Sequence, residues 1–255
     1  MKRRQLIGYT GAGLITAVMT NLGWLFPVNA RSSDVSINWL GHTCFLFTTG
    51  NVKILINPFR TLGCTAKYRP PRVATDLVLI SSQLLDEGYV KELPGNPKLV
   101  YQPGVYEFKG INFQGITTYH DRHNGKRFGK NIAWKLTIAG LNLLHLGGAA
   151  APLTLEQKIL MGRPDVLFIP VGGSAKAYNA QEAKAAITVL NPKLVIPTHY
   201  RTPAADTSQC DIDAVDDFLT VMRDVNIREI DSDSVVINAK SLRENTEIRV
   251  LSYKF

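Results

Sequence analysis

His42, His120 and His199 each stand at or just past the end of an apolar run: Trp39-Leu40-Gly41, Gly115-Ile116-Thr117-Thr118-Tyr119 and Ile196-Pro197-Thr198, respectively. In layered α/β proteins the carboxyl ends of strands are where sites assemble. Asp86 and Glu87 follow another apolar run, residues 76–80, by way of Ser81-Ser82-Gln83-Leu84-Leu85. Imidazoles and carboxylates brought together can hold a divalent ion or exchange protons with a substrate. His145 lies inside its run, Leu143-Leu144-His145-Leu146, and His123 sits in a basic loop with Arg122, Lys126, Arg127 and Lys130 that reads as solvated. The sequence holds no Gly-x-Ser-x-Gly elbow, no phosphate-binding glycine loop ending in Lys-Ser/Thr and no His-Glu-x-x-His helix. Gly172-Gly173-Ser174 reads either as a tight turn or as a pocket wall where a ligand nears the backbone.

The elements that must position these residues alternate in a recognisable way. Residues 36–40, 44–48 and 53–56 are short runs rich in β-branched and aromatic side chains, separated by Gly41 and by Gly50-Asn51, and predict hairpins. Strands are expected again over 76–80, 98–101, 105–108, 111–116, 132–138 and 141–146. Beyond Pro152 the pattern changes to strand and helix in turn. Helices are expected over 154–161, 180–190 and 212–225, with Thr154 and Gln157 spaced for a capping box. Buried strands are expected over 166–171 and 194–197, and further strands over 234–237 and 248–251. The expected architecture is one α/β domain over about residues 31–255, with sheets between helical layers.

With these residues in place, a family likeness becomes specific. Trp39-Leu40-Gly41-His42-Thr43-Cys44-Phe45 and Lys53-Ile54-Leu55-Ile56-Asn57-Pro58-Phe59 resemble the opening of the metallo-β-lactamase superfamily, in its ascorbate-6-phosphate-lactonase-like branch of Zn-dependent hydrolases. The likeness continues through Tyr119-His120-Asp121, His145-Leu146-Gly147-Gly148, residues 165–173 and Ile196-Pro197-Thr198-His199-Tyr200. It implies an αββα sandwich with the site at one edge between the sheets. It also implies two metal ions about 3.5–4 Å apart that acidify a bridging water. Those ions are held by a His-x-His-x-Asp-His motif, a later histidine, a bridging aspartate and a final histidine.

Set against that pattern, Ser82 and Leu84 stand where the first two histidines belong, Asp86 keeps the aspartate and Glu87 replaces the next histidine. His120 keeps the middle histidine, Gly148 replaces the bridging aspartate, His199 keeps the last histidine, and Asn57 replaces the aspartate of the Asp-Pro-Phe segment. The first metal position is reduced to His120, short of the roughly four ligands zinc takes. The second would retain Asp86, Glu87 and His199. The expected metal set is therefore Asp86, Glu87, His199 and His120, with His120 and Asp86 as catalytic candidates and at most one divalent ion, zinc or similar. Asp86 and Glu87 also have a plain reading as carboxylates at a helix start.

Cys44, Cys64 and Cys210 are the only cysteines. Cys44 falls in an apolar run and reads as packing. Cys64 and Cys210 fall in loops and either pair, remain thiols, or join a histidine in a soft zinc site.

Lys2, Arg3 and Arg4, the apolar stretch 6–26 and Val28-Asn29-Ala30 form a signal peptide over residues 1–30 resembling a twin-arginine export signal. An uncleaved membrane anchor is the other reading of that stretch. Either way the protein is expected outside the cytoplasm, in a periplasm or a thylakoid-lumen-like compartment. Residues 1–30 hold three cations and no acid, so the remainder carries +5 of the total +8. A charge that modest, with no basic tract, points away from nucleic acid. Two functions compete. One is an atypical or mononuclear metal-dependent hydrolase of an ester, lactone or phosphoester; the other is an inactive pseudoenzyme serving as a binding or assembly module with a small-molecule or protein partner.

Overall fold

The computed structural model describes residues 33–254. The signal-peptide expectation for residues 1–30 lies outside the described residues. Among those residues, no helix is long and apolar enough to cross a membrane.

Two sheets face each other. The first has six strands and begins with β1 (Val35–Gly41), β2 (Cys44–Thr49) and β3 (Val52–Ile56), an antiparallel meander. It continues through β4 (Leu77–Leu79) and β5 (Lys98–Val100), both parallel to β3, and is closed on its other side by β13 (Ser234–Ile237) against β1. Along β1 the side chains alternate, and Val35, Ile37 and Trp39 are the ones buried. That is the period of a strand with one face on the core.

The second sheet has eight strands. An antiparallel part comprises β6 (Gly104–Phe108), β7 (Ile111–Tyr119), β8 (Lys130–Ile138) and β9 (Leu141–His145). A parallel part comprises β9, β10 (Val166–Pro170), β11 (Leu194–Thr198), β14 (Glu247–Leu251) and β12 (Asn226–Ile230). Every residue of β10 and β11 is buried, as expected of parallel strands covered on both faces. Between the sheets Phe168 meets Phe45 and Phe47 edge-on, with ring centres 4.8 and 5.3 Å apart, a geometry aromatic quadrupoles favour.

Helices cover the second sheet. In α1 (Leu155–Met161) the Thr154–Gln157 capping box is present in both directions. Helix α2 (Ala180–Leu190) buries Ala183, Ala186, Ile187 and Leu190 and ends at Asn191, whose left-handed φ of 45° closes it before Pro192. Helix α3 (Val215–Val221) is shorter than the 212–225 expected. The chain after it becomes β12, which the sequence reading missed. Its Asn226-Ile227-Arg228-Glu229-Ile230 pattern belongs to an edge strand, charged on its open side and lacking a continuous apolar run. Residues 82–88 form turns, so Asp86 and Glu87 do not begin a helix as one reading had them.

The topology explains why chemistry gathers at one end. Strands β7, β9, β10 and β11 all point the same way, because β7 and β9 are each antiparallel to β8 and β9–β11 are mutually parallel. Their carboxyl ends therefore release His120, Gly148, the 172–178 loop and His199 on one edge of the sandwich.

Candidate functional site

Each approach to this edge uses a constrained backbone. His42, Asn57, Ser174 and His199 all have positive φ, between 51 and 63°. Non-glycine residues in this region cost energy and cluster at functional sites. The His42 carbonyl accepts from the Trp39 indole at 3.0 Å and from the His199 amide at 3.3 Å, so one turn locks two site histidines together. Their rings lie 4.3 Å apart, centre to centre. The buried Asn57 side chain accepts from the Ser81 amide at 2.8 Å and fixes the start of the loop that carries Asp86 and Glu87.

Asp86 and Glu87 then diverge. Glu87 turns inward and reaches His120, with Glu87 Oε2 and His120 Nε2 2.9 Å apart and both side chains sealed from solvent. His120 Nδ1 faces the Lys176 carbonyl at 3.2 Å, and a carbonyl can only accept, so Nδ1 carries a proton. Nε2 faces the Glu87 carboxylate, which favours the protonated ring. Burial works against that charge, but the Glu87 carboxylate outweighs it and raises the His120 pKa.

Asp86 turns outward and forms an ion pair with the Lys176 ammonium, at a half-buried position. Burial pushes its carboxyl up, while the neighbouring His42, Lys176 and His199 pull it down further, leaving it below the ordinary carboxylate range. His42 and His199 are uncharged at neutral pH: burial lowers them to about 4 and about 3. Together with Lys176 and Asp86 they line a cavity of about 390 Å³, walled by Leu62, Leu84, Leu85, Ile212 and Arg60. The Cys64–Cys210 disulfide ties the loop that puts Cys64 in this wall to the loop carrying Gln209, Asp211 and Ile212. That bond settles the cysteine alternatives and removes the cysteine–histidine zinc site from them. Cys44 is a buried free thiol, as its apolar run suggested.

The remaining candidates sort cleanly. His145 is structural: the Gly147 amide donates to its Nδ1 at 3.0 Å, so the ring proton sits on Nε2, which donates to the Thr43 carbonyl at 3.0 Å. Its ring stacks on Phe168 in the core. His123 is exposed in the basic loop. Asp121 holds that loop, accepting amides from His123, Gly125, Arg127 and Phe128. Ser174 lines the cavity, so the pocket-wall reading of its turn stands. Lys176 and Arg122 were not singled out by their sequence, because nothing in a loop lysine's neighbours marks the carboxylate it will meet.

The Beta-lactamase superfamily domain matches residues 36–199, more than half of the chain. This protein belongs to the metallo-β-lactamase superfamily. The superfamily member from Thermoplasma acidophilum named UPF0173 metal-dependent hydrolase is 25% identical over 197 residues, covering 66% of this chain and 84% of that protein. A counterpart from Pyrococcus furiosus with the same designation is 27% identical, covering 66% and 85%. A Thermotoga maritima structure designated a Zn-dependent hydrolase of the metallo-β-lactamase superfamily superposes with a TM-score of 0.66 at 28% identity, covering 86% of this chain and 98% of that one.

Superfamily membership implies a metal centre, and the residues present do not fit one. Gly148 offers no donor, and a Cβ added there would lie 2.3 Å from His120 Cε1 and 2.9 Å from Glu87 Oε1. The space a bridging carboxylate needs is filled by the His120–Glu87 pair. The four expected ligands are split, with Glu87 and His120 sealed against each other and Asp86 and His199 on the cavity side. Among the described residues no three His, Cys, Asp or Glu side chains are placed to hold an ion. Asp86 remains a candidate for contact with a ligand; His120 is walled off from the cavity.

Proposed function

We propose that this protein is a ligand-binding descendant of the superfamily's metal-dependent hydrolases, which keeps the cleft and has given up the dinuclear centre. One observation carries the reading: at Gly148 the space a bridging group needs is occupied by the buried His120–Glu87 pair. The motif substitutions Ser82, Leu84, Glu87 and Gly148 support it from the sequence side. The ligand class follows from the cavity. Leu62, Leu84, Leu85 and Ile212 give it apolar walls beside the charged Arg60, Asp86, Lys176 and Asp211, and Lys176 is already paired with Asp86, so it suits a small molecule with an apolar body and a polar end. The likeness to the lactonase branch favours an ester or lactone over a phosphoester.

The metal content of protein purified without a chelating tag tests the first part. Less than about 0.1 equivalent of any transition metal is expected, unchanged in His199→Ala. A stoichiometric ion lost in both Asp86→Ala and His199→Ala would overturn the reading in favour of a mononuclear hydrolase. A medium-chain lactone is expected to raise the Tm and phenyl phosphate to leave it unchanged; the reverse result would sink the ligand class.

We also propose that the protein acts outside the cytoplasm. The Lys2-Arg3-Arg4 region with its apolar stretch supports this, as does the Cys64–Cys210 bond, since disulfides persist in oxidising compartments. Cell fractionation of the wild type and of an Arg3→Lys/Arg4→Lys variant tests it. Retention of the wild type in the cytosol would count decisively against export.

A further inference from the structure

Helix α1 carries two of its large apolar residues on the solvent side. Leu155 and Ile159 stand one turn apart and are 74% and 70% exposed, whereas Gln157 and Lys158 are half-buried. The inversion is built in: Gln157 Nε2 donates to the Thr117 carbonyl of β7 at 2.8 Å and turns a polar side of the helix to the sheet. Two bare aliphatic side chains forgo the burial that normally stabilises a surface helix. Such patches mark interaction sites. The apolar surface continues into the groove between α1 and α2, lined by Leu153, Ala185, Ala186 and the half-exposed Val189.

The rim of this surface is cationic. Between Asp121 and Asp165 the chain holds one acid, Glu156, against seven lysines and arginines. The loop 122–130 adjoins the groove, because Arg122 grips both carboxylate oxygens of Glu182, each at 2.6 Å, and Glu182 lines the groove beside Lys158. Lys126, Arg127 and Lys130 of that loop are exposed and have no acidic partner among the described residues. The loop presents them in fixed places, since Asp121 accepts amides from His123, Gly125, Arg127 and Phe128. An anionic polymer would satisfy these cations but leave Leu155 and Ile159 in water. A second copy would cover the apolar pair but set two like-charged rims against each other. An anionic lipid surface meets both demands.

We propose that α1 and the loop 122–130 form a docking face for an anionic membrane surface. Leu155 and Ile159 enter the acyl boundary, while Lys126, Arg127 and Lys130 meet the headgroups. The face is separate from the 390 Å³ cavity, which none of these residues lines.

Hydrogen exchange of the full chain, read by mass spectrometry, tests this with vesicles of phosphatidylcholine alone or mixed with an equal part of phosphatidylglycerol. Attachment through the apolar stretch 6–26 is common to wild type and variants, so differences between them report this face. On the anionic vesicles, exchange over residues 122–130 and 155–161 is expected to slow about fivefold or more. It is expected to be unchanged on phosphatidylcholine alone and to recover in about 0.5 M NaCl. Leu155→Ser/Ile159→Ser is expected to keep the wild-type Tm and abolish the protection. Lys126→Gln/Lys130→Gln should raise the lipid concentration needed for half of it about fivefold for each lysine removed. Should the first variant lower the Tm, the lysine variant decides. Equal protection on both kinds of vesicle, none on either, or a lysine variant that behaves as wild type overturns the proposal. So does protection that grows with protein concentration in the absence of lipid, which would assign the face to a second copy.

Discussion

Asp86 and Glu87 are neighbours in sequence and both bear a cationic partner, yet their pairs differ in kind. The Glu87–His120 pair is 1–2% exposed, and the Asp86–Lys176 pair about 30% exposed at a cavity wall. A sealed pair is expensive to break, because removing one partner strands the other charge in a medium that cannot solvate it. A half-exposed pair contributes little, because water takes over its electrostatics. The first is therefore part of the scaffold, and the second is free to serve a ligand. Glu87→Ala accordingly gives the largest expected effect, a loss of about 3–5 kcal/mol of stability in urea unfolding. A loss below about 1 kcal/mol would mean that His120 simply gives up its proton, and would erase the distinction.

Gly148→Ala probes the same sealed side by volume. The added Cβ would sit 2.3 Å from His120 Cε1, and His120 has no room to retreat. Overpacking of this sort costs about 1–3 kcal/mol. Unchanged stability would indicate that the pair can move, and so would reopen the position to a bridging side chain.

How much of this contrast was legible beforehand depends on range. The sandwich was readable because its strands are local patterns: alternation in β1 and continuous apolar runs in β10 and β11. The edge strand β12 was missed because half of its surface is charged and exposed. At the site, the convergence of His120 and His199 could be read from their places at strand ends. Their separation into different environments could not, since it turns on the opposite directions taken by Asp86 and Glu87 after the Asn57–Ser81 hydrogen bond. Lys176 escaped notice for a similar reason, as its role depends on contacts with residues 56 and 90 positions away.

The histidines extend the comparison to pH. His42, His145 and His199 are buried and depressed to about 4, about 4 and about 3 from an ordinary 6.5, whereas His120 is raised. For each depressed histidine the unfolded chain takes up a proton first as pH falls below 6.5, so stability is full above 6.5 and is lost toward the folded pKa. Between pH 6.5 and 5 that amounts to about 2 kcal/mol per histidine. His120 acts with the opposite sign, its contribution present below 6.5 and lost as pH rises through its folded value. Three against one gives a net fall on acidification, which urea unfolding at the two pH values checks. A flat profile would place the depressed rings in contact with water.

The smallest expected effect belongs to Asp86→Asn. The carboxylate and its ammonium are each about 30% exposed, so stability should fall by less than about 1 kcal/mol. What should change is local order. Without Asp86 the Lys176 side chain loses its anchor, while the Arg122 contacts to the Ser174 and Ala177 carbonyls remain. Amide exchange over residues 173–177 is then expected to quicken only modestly, whereas Arg122→Ala quickens it strongly at similarly small cost to global stability. Were Asp86→Asn to destabilise as much as Glu87→Ala, the outward pair would be scaffold too.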